Sequence, residues 1–285
     1  MRTIVNGARI WFDVEGAGLA PDGVVMRERP TLVLLHGGPG FDHSYFKPAH
    51  SVLTDTAQIL YVDHRGNGRS DYSEPACWNL DQWADDLRAL FDRLGIVRPV
   101  VLGLSFGGFV AQSLAVRHPD IAGRLILSST AAQFRLDRCL DTFLRLHGTH
   151  AREVAERFWR APGDAAKVRD YVEVCFPLYN ATPRPPEVAK RSTFNPAMLN
   201  HFFNAGGEGF RFDFRSRLSE VKCPTLVLAG DLDPVTPMAD SDDIAAALPQ
   251  SLVRYERFLG AGHGVGHDQP DRYYALLREF MTGAA

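Results

Sequence analysis

The stretch that decides the fold is Pro-Val-Val-Leu-Gly-Leu-Ser-Phe-Gly-Gly-Phe, residues 99–109. Residues 99–102 are apolar and predict a buried strand, and residues 106–117 predict a helix. Between them Ser105 is the centre of a Gly-x-Ser-x-Gly sequence. A serine on so sharp a turn between strand and helix projects its hydroxyl above the end of a sheet, which is the position of a nucleophile. The alternative is an ordinary tight turn that contains a serine. Gly103 and Gly107 are expected because a strained turn leaves no room for side chains.

A serine nucleophile needs a base and a carboxylate that orients the base. After an elbow of this kind the chain order is serine, then the acid, then histidine. An apolar run at residues 225–229 predicts a strand, and the sequence Gly-Asp-Leu-Asp-Pro follows it at residues 230–234. We expect Asp233 to be the acid, because Pro234 and Pro237 stiffen its loop and it lies farther beyond the strand. Asp231 is expected to bond backbone amides of the loop.

The base is predicted to be His263. It lies in Gly-Ala-Gly-His-Gly, residues 260–264, beyond a strand-like run at residues 252–255. Flanking glycines leave the imidazole free to approach a neighbouring loop, and the position in the chain is the one that the base requires. His267 is the rival candidate, and we interpret it as a supporting or surface residue.

Acyl transfer also needs amide donors aimed at the developing oxyanion. One is expected to be the N–H of Phe106, which follows the nucleophile. The other is expected to be the N–H of Gly38, in the loop His-Gly-Gly-Pro-Gly at residues 36–40 that follows a predicted strand at residues 31–35. Gly37 is a candidate for contact with the substrate, whereas His36 is interpreted as structural. A simple turn between strand and helix is the alternative for this loop.

These motifs resemble those of the α/β-hydrolases, and more narrowly those of the proline iminopeptidase (prolyl aminopeptidase) group. The resemblance rests on the loop at residues 36–40, the Asp-x-Arg-Gly-x-Gly-x-Ser segment at residues 63–70, the serine elbow, the acid loop at residues 230–237 and the histidine loop. It covers about two-thirds of the chain. The resemblance implies an α/β fold, with a mostly parallel sheet flanked by helices and an inserted helical cap. In the segment at residues 63–70 we expect Arg65 to pair with a carboxylate and hold the turn; the alternative is that Asp63 and Arg65 contact the substrate.

One departure from the iminopeptidase pattern concerns the substrate amine. The group is expected to carry Glu-Asn-His-Tyr-Phe in its cap, where the glutamate binds the amine, but this chain has Leu199-Asn-His-Phe-Phe203. A buried ammonium without a carboxylate partner is strongly disfavoured. Glu173 and Glu208 are the candidates to replace the missing acid. Phe202 and Phe203 are candidates for contact with the substrate.

The chain is organised as core, cap and core. Short apolar strands alternate with amphipathic helices in residues 1–130 and 216–285, a pattern that predicts a sheet covered on both faces. In residues 131–215, which we call the cap segment, the strand rhythm stops and helical stretches broken by prolines appear. Sites in such sheets lie at the carboxyl ends of the strands, where the four motifs fall.

Composition excludes several classes of protein. The 285 residues carry a formal net charge of −3, which gives no electrostatic basis for binding nucleic acid or an anionic membrane. No signal peptide or spanning segment is recognisable, so a cytoplasmic location is expected. The four cysteines have no zinc or disulfide spacing and are expected to be buried thiols. No metal and no cofactor are implied.

Three functions remain open at this point. The first is release of an N-terminal residue, above all proline, from a short peptide by a serine hydrolase. The second is hydrolysis of an uncharged ester, lactone or amide, which Leu199 favours. The third is a hydrolase-fold receptor that binds a small ligand with little turnover, which the complete set of catalytic motifs disfavours. The expected partner is in each case a small molecule or short peptide.

Overall fold

Short apolar segments form the strands of the computed structural model, which describes residues 1–283 except for the side chains of Pro186 and Ala189. The strands are β1 (Arg2–Val5), β2 (Ala8–Glu15), β3 (Leu19–Asp22), β4 (Val25–Glu28), β5 (Thr31–Leu35), β6 (Gln58–Val62), β7 (Val100–Leu104), β8 (Arg124–Ser128), β9 (Thr225–Gly230) and β10 (Val253–Phe258). Eight of them form one sheet in the order β1-β2-β6-β5-β7-β8-β9-β10, and β3 pairs with β4. From β6 to β10 every pair in the large sheet is parallel, whereas β1–β2 and β2–β6 are antiparallel.

The helices follow the amphipathic stretches. They are α1 (Leu80–Leu94), α2 (Phe106–Arg117), α3 (Leu136–Arg160), α4 (Ala165–Val174), α5 (Pro186–Arg191), α6 (Pro196–Phe203), α7 (Met238–Ala247), α8 (Val265–Asp268) and α9 (Pro270–Thr282). Their ends have identifiable local causes. At the start of α1 the Asn79 side chain accepts a hydrogen bond from Gln82 N, and at its end Gly95 has a left-handed φ of 65°.

Both faces of the sheet are buried, as a parallel sheet requires. Alternate residues of β5 and β6 belong to two different apolar clusters. Val33 and Leu60 pack with α1 and α2 on one face, while Leu32 and Ile59 pack with α9 on the other. The continuous apolar strands of the sequence therefore reflect burial from two sides, and helices on both faces hold the carboxyl ends of β5, β7 and β9 in fixed positions.

Helices α3 to α6 lie between β8 and β9, in the stretch that the sequence predicts to be a cap. The bounds 131–215 for that cap stay a prediction. Gly148, with a φ of 82°, interrupts α3. None of the helices described in residues 1–283 is both long and apolar enough to cross a membrane. Cys139, Cys175 and Cys223 are buried and unpaired, but Cys77 is partly exposed in the loop before α1, so the expectation of four buried thiols is wrong for Cys77.

Candidate active site

Ser105 lies at the turn between β7 and α2 in a strained backbone conformation. Its φ is 54° and its ψ is −119°. Such a conformation costs a non-glycine residue about 1–3 kcal/mol and persists only where the surroundings impose it. Here Ser105 N donates to Ser128 O at 3.0 Å, and Ser105 O accepts from Thr130 Oγ1 at 2.7 Å. The predicted elbow is therefore held from the neighbouring strand β8.

The glycines of the elbow are needed for close approach and not for a left-handed backbone, since neither Gly103 nor Gly107 has a positive φ. A Cβ on Gly103 would fall 2.4 Å from Gly107 O, and one on Gly107 would fall 2.1 Å from Leu35 O. The first turn of α2 thus packs directly on the backbone of β5 and β7. This close packing helps to fix the position of Ser105 relative to the end of the sheet.

Asp233 and His263 meet in a buried hydrogen bond. Asp233 Oδ2 accepts from His263 Nδ1 at 2.8 Å, and the Asp233 side chain is fully buried. Its other oxygen, Oδ1, accepts from Val235 N at 2.8 Å and Thr236 N at 3.1 Å. Thr236 Oγ1 donates to Oδ2 at 2.9 Å. Because Asp233 acts only as an acceptor in these hydrogen bonds, His263 Nδ1 is the nitrogen that donates to it, and Nε2 is left to accept a proton.

Asp231 has the structural position that the sequence predicts. Its Oδ1 accepts a hydrogen bond from Gly260 N at 2.7 Å, which ties the loop after β9 to the loop after β10. Its carboxylate makes no contact with His263 among the described residues, in contrast to that of Asp233. The two acids therefore differ in their hydrogen-bond donors: Asp233 accepts from the His263 ring, and Asp231 accepts from a backbone amide.

The loop at residues 36–40 lies against Ser105. A Cβ on Gly37 would fall 3.2 Å from Ser105 Cβ and 3.2 Å from Tyr45 Oη. The Gly37 N–H is already occupied, because it donates to the Tyr45 hydroxyl. The N–H groups of Gly38 and Phe106 donate to no acceptor within residues 1–283. Both N–H groups are therefore free to donate to an external acceptor, which is what an oxyanion site needs.

Topology brings the three side chains to one edge of the sheet. Ser105 follows β7, Asp233 follows β9 and His263 follows β10, and these strands are parallel. Within the described chain no hydrogen bond joins Ser105 Oγ to His263. In ligand-free enzymes such contacts are often long and tighten only when substrate is bound.

His36 and Arg65 are structural residues, as predicted. His36 is buried, with its Nδ1 3.0 Å from Gly37 O, and its Nε2 accepts from His64 N at 3.3 Å. Burial lowers the pKa of His36 below its usual value. Arg65 forms a two-pronged pair with Asp86, in which both nitrogen–oxygen distances are 2.7 Å. These contacts hold the loops after β5 and β6 beneath the site.

Phe202 and Phe203 are core residues, so their prediction as substrate contacts is wrong for this structure. Phe202 is 0% exposed, and its ring lies 5.3 Å from the ring of Phe106 and 5.7 Å from that of Trp83. Phe203 is 3% exposed and packs on Phe134. A side chain without accessible surface offers none to a ligand. Their effect on the site is indirect, through the packing of Phe106.

Neither Glu173 nor Glu208 forms a hydrogen bond with a proposed catalytic residue among the described residues. Glu173 is exposed on α4. Glu208 is half-buried, and its Oε2 accepts from Leu80 N at 2.9 Å, which caps the start of α1. Burial raises the pKa of Glu208. Glu208 lines a pocket of about 290 Å³ that contains none of the three proposed catalytic residues, its walls being Trp78, Asn79, His201, Asn204, Gly206, Gly207, Glu208 and Arg211.

The sequence analysis missed a set of contacts that join the cap segment to the His263 loop. His263 N donates to Tyr179 O at 2.6 Å, and Gly264 N donates to Asn180 Oδ1 at 3.0 Å. The Tyr179 and His263 rings meet edge to face at 5.4 Å. The position of the imidazole thus depends on the cap segment as well as on its own glycines. No local sequence signal marks these residues, because the partners are more than 80 positions apart in the chain.

Comparison with known proteins agrees with this architecture. The family described as the alpha/beta hydrolase fold matches residues 30–270. This chain belongs to the α/β-hydrolase fold family. The predicted fold is therefore confirmed, and the four motifs occupy the loops at the carboxyl ends of its strands.

Relatives by sequence include enzymes with different named reactions. A protein of Caulobacter segnis with the provisional name carbamate hydrolase RutD is 27% identical over 259 residues, which cover 89% of this chain and 92% of the relative. A proline iminopeptidase of Lactobacillus helveticus is 28% identical over 274 residues, which cover 89% and 90%. The resemblance to the iminopeptidase group is confirmed, and the chain is a hydrolase.

Among solved structures, the proline iminopeptidase of Mycobacterium smegmatis is similar with a TM-score of 0.80. The sequence identity is 22%, and the match covers 99% of this chain and 97% of the other. At that identity the likeness concerns the fold. The match along the whole length nevertheless includes the helical region between β8 and β9.

Proposed function

We propose that this protein is a serine hydrolase in which Ser105, His263 and Asp233 form a catalytic triad and the reaction passes through an acyl-enzyme. The observation that carries the proposal is the buried hydrogen bond of 2.8 Å between Asp233 Oδ2 and His263 Nδ1. A carboxylate held in this way fixes the tautomer that a general base needs and stabilises the imidazolium that forms. The strained elbow supplies the nucleophile at the same edge of the sheet.

Each step then has a named group. His263 Nε2 takes the hydroxyl proton as Ser105 Oγ attacks the carbonyl carbon of the substrate. The amides of Phe106 and Gly38 donate to the oxygen that becomes negative. The tetrahedral intermediate collapses, and His263 Nε2 gives the proton to the leaving group. Water then attacks the acyl-enzyme with His263 again as base, which releases the acid and restores Ser105.

The acyl group is proposed to be uncharged. The amine end of an iminopeptidase substrate would need a carboxylate, and the positions considered for it offer none: Leu199 is apolar, Glu173 is exposed and Glu208 caps α1. An ammonium buried without such a partner is disfavoured by several kcal/mol or more. An ester, a lactone or an amide of a neutral acyl group meets no such penalty.

Release of N-terminal proline is the second candidate. It is favoured by the oxyanion loop and the arginine-glycine segment that this chain has in common with the iminopeptidase group, and by relatives of that name. It requires an acidic group at the amine end of the substrate other than Glu208, which caps α1, and the exposed Glu173. The third expectation, a receptor with little turnover, is not proposed, because the chain is a hydrolase.

The test compares kcat/KM for a proline arylamide and for p-nitrophenyl butyrate, with Ser105→Ala as the blank. We expect cleavage of the ester that exceeds cleavage of the arylamide, and a fall of up to ~10⁶-fold in kcat in the variant. If the arylamide is the better substrate, the iminopeptidase candidate replaces ours. If Ser105→Ala retains a tenth of the turnover, the triad is wrong.

A further inference from the structure

Arg184 is a cap-segment cation without an acidic partner. It makes no ion pair with any carboxylate in residues 1–283, and its one hydrogen bond runs from Nη2 to Asn180 Oδ1 at 3.3 Å. Its Nε is buried and donates to nothing in the described chain. Burial is the main influence on this side chain and lowers the pKa of the guanidinium. Arg184 as a whole is half-buried, and a guanidinium partly removed from water is destabilising unless it has a hydrogen-bonding or charged partner.

The guanidinium lies beside the loop of His263. A Cβ on Gly264 would fall 2.2 Å from Arg184 Nη2, so the side chain packs against the residue that directly follows His263. Asn180 Oδ1 accepts from both Gly264 N and Arg184 Nη2, which fixes the guanidinium relative to this loop. The guanidinium can lie here only because Gly264 has no side chain.

Tyr45 is a second neighbour of Arg184. The charge of Arg184 acts on the Tyr45 phenol, and the Tyr45 hydroxyl accepts the N–H of Gly37 next to Ser105. Arg184 therefore contacts the histidine loop at Gly264 and lies near enough to Tyr45 for its charge to influence the phenol. The acidic neighbour Asp268 is occupied elsewhere, because its oxygens accept from Ala181 N, Thr182 N and Gly262 N.

We propose that Arg184 binds a carboxylate on the leaving group of the substrate. The inference rests on the proposed serine hydrolase mechanism, in which His263 Nε2 hands its proton to the leaving group, so that the leaving group lies on the His263 side. A guanidinium presents paired donors that match a carboxylate. The substrate class is then a neutral acyl group joined to an amino acid or hydroxy acid whose carboxylate is free.

This class accounts for two observations together. The acyl side has Leu199 where an amine-binding acid was expected, and the leaving-group side has an unpaired cation. An N-terminal amine is therefore the poorer ligand, whereas a free carboxylate at the other end of a small substrate is the better one.

The experiment uses two butyrate esters, one whose leaving group carries a free carboxylate and one in which that carboxylate is masked: 4-(butyryloxy)benzoic acid and its methyl ester. Both are assayed on the wild type, on Arg184→Met, and on Arg191→Met as the matched control. Arg191 is an exposed arginine of α5 whose hydrogen bonds go to backbone carbonyls. Ser105→Ala is the blank for both substrates.

We expect Arg184→Met to lower kcat/KM for the acid by about 10- to 100-fold, the range for loss of a charge-assisted hydrogen bond, and to change kcat/KM for the methyl ester by less than threefold. Arg191→Met should alter neither. An equal fall for both esters, or an unchanged ratio between them, would overturn the inference while leaving the triad intact. Hydrolysis of the methyl ester by Ser105→Ala would instead overturn the proposed function.

Benzoate binding, measured by calorimetry, tests the carboxylate site even if butyrate esters are poor substrates. The wild type should bind benzoate at least 10-fold more tightly than Arg184→Met does. Benzoate binding that is absent from the wild type, or equal in the two proteins, contradicts the carboxylate site. The melting temperature of Arg184→Met tests for a structural role, since the loss of a half-buried guanidinium that forms no ion pair should not lower it.

Discussion

Replacing Asp233 by Asn perturbs the proposed triad with almost no change of shape, and its result can be worked out from the hydrogen bonds. Asp233 Oδ1 faces two donors, Val235 N at 2.8 Å and Thr236 N at 3.1 Å. The amide oxygen of an asparagine must take this side, because its NH₂ would otherwise face two N–H groups. The NH₂ therefore points at His263 Nδ1, where Asp233 Oδ2 now lies.

An NH₂ in that position needs an acceptor, so His263 Nδ1 becomes the unprotonated nitrogen and the proton moves to Nε2. An Nε2–H cannot accept the proton of Ser105. The expected loss is ~10⁴-fold in kcat, as for the same change in other serine triads, which corresponds to about 5 kcal/mol of transition-state stabilisation. KM should change little, since no contact with substrate is removed.

The assay is steady-state hydrolysis of p-nitrophenyl butyrate at pH 7.5, with Asp231→Asn as the matched control. Asp231 lies two residues away and contacts Gly260 N but not His263, so its variant should keep kcat within about threefold of the wild type. A kcat for Asp233→Asn above a tenth of the wild-type value would refute the reasoning. A larger loss of kcat in Asp231→Asn than in Asp233→Asn would show that Asp231, and not Asp233, is the acid of the triad.

Three further predictions concern stability, each measured by urea unfolding. Gly107→Ala should prevent folding, because its Cβ would lie 2.1 Å from a backbone oxygen of β5. Gly148→Ala is the control: the site has open space and a φ of 82°, so the variant should lose only ~1–2 kcal/mol of unfolding free energy. A folded Gly107→Ala protein of wild-type stability would contradict this. Asp86→Asn should destabilise by ~3–5 kcal/mol, because it leaves the buried Arg65 charge without its pair; a loss below ~1 kcal/mol would contradict it. Burial lowers the pKa of His50 to about 4, below its unfolded value, so its contribution to stability is present at pH 7 and lost as the pH falls from about 6.5 towards 4. The loss of unfolding free energy should reach ~2–3 kcal/mol at pH 4.5 in the wild type and be absent from His50→Gln. Equal acid sensitivity of the wild type and His50→Gln would argue against this.

The sequence was most informative where chemistry and backbone geometry coincide. A serine between glycines can be recognised because the close approach of α2 to β5 and β7 excludes any Cβ at Gly103 and Gly107. The loops after β5, β9 and β10 follow apolar strands, so their order along the chain indicates one common edge of the sheet. Asp233 was distinguishable from Asp231 only through its position in the loop and the neighbouring prolines.

The cap segment was harder to predict because its side-chain directions depend on tertiary packing. Phe202 and Phe203 match a family pattern, yet their burial against Phe106 and Phe134 follows from how α6 meets the core. For the same reason the positions of Glu173 and Glu208 could not be derived from composition. Arg184 carries no motif, and its importance becomes visible only in the structure, where it forms no ion pair within residues 1–283.

The most direct test of the central claim, that Ser105 is a nucleophile activated by its surroundings, is mass spectrometry after incubation with diisopropyl fluorophosphate. We expect a single diisopropylphosphoryl adduct on the wild-type chain, located in the peptide that contains Ser105, and no adduct on Ser105→Ala. A wild-type chain that stays unlabelled, or a Ser105→Ala chain that is labelled as fast as the wild type, would contradict it.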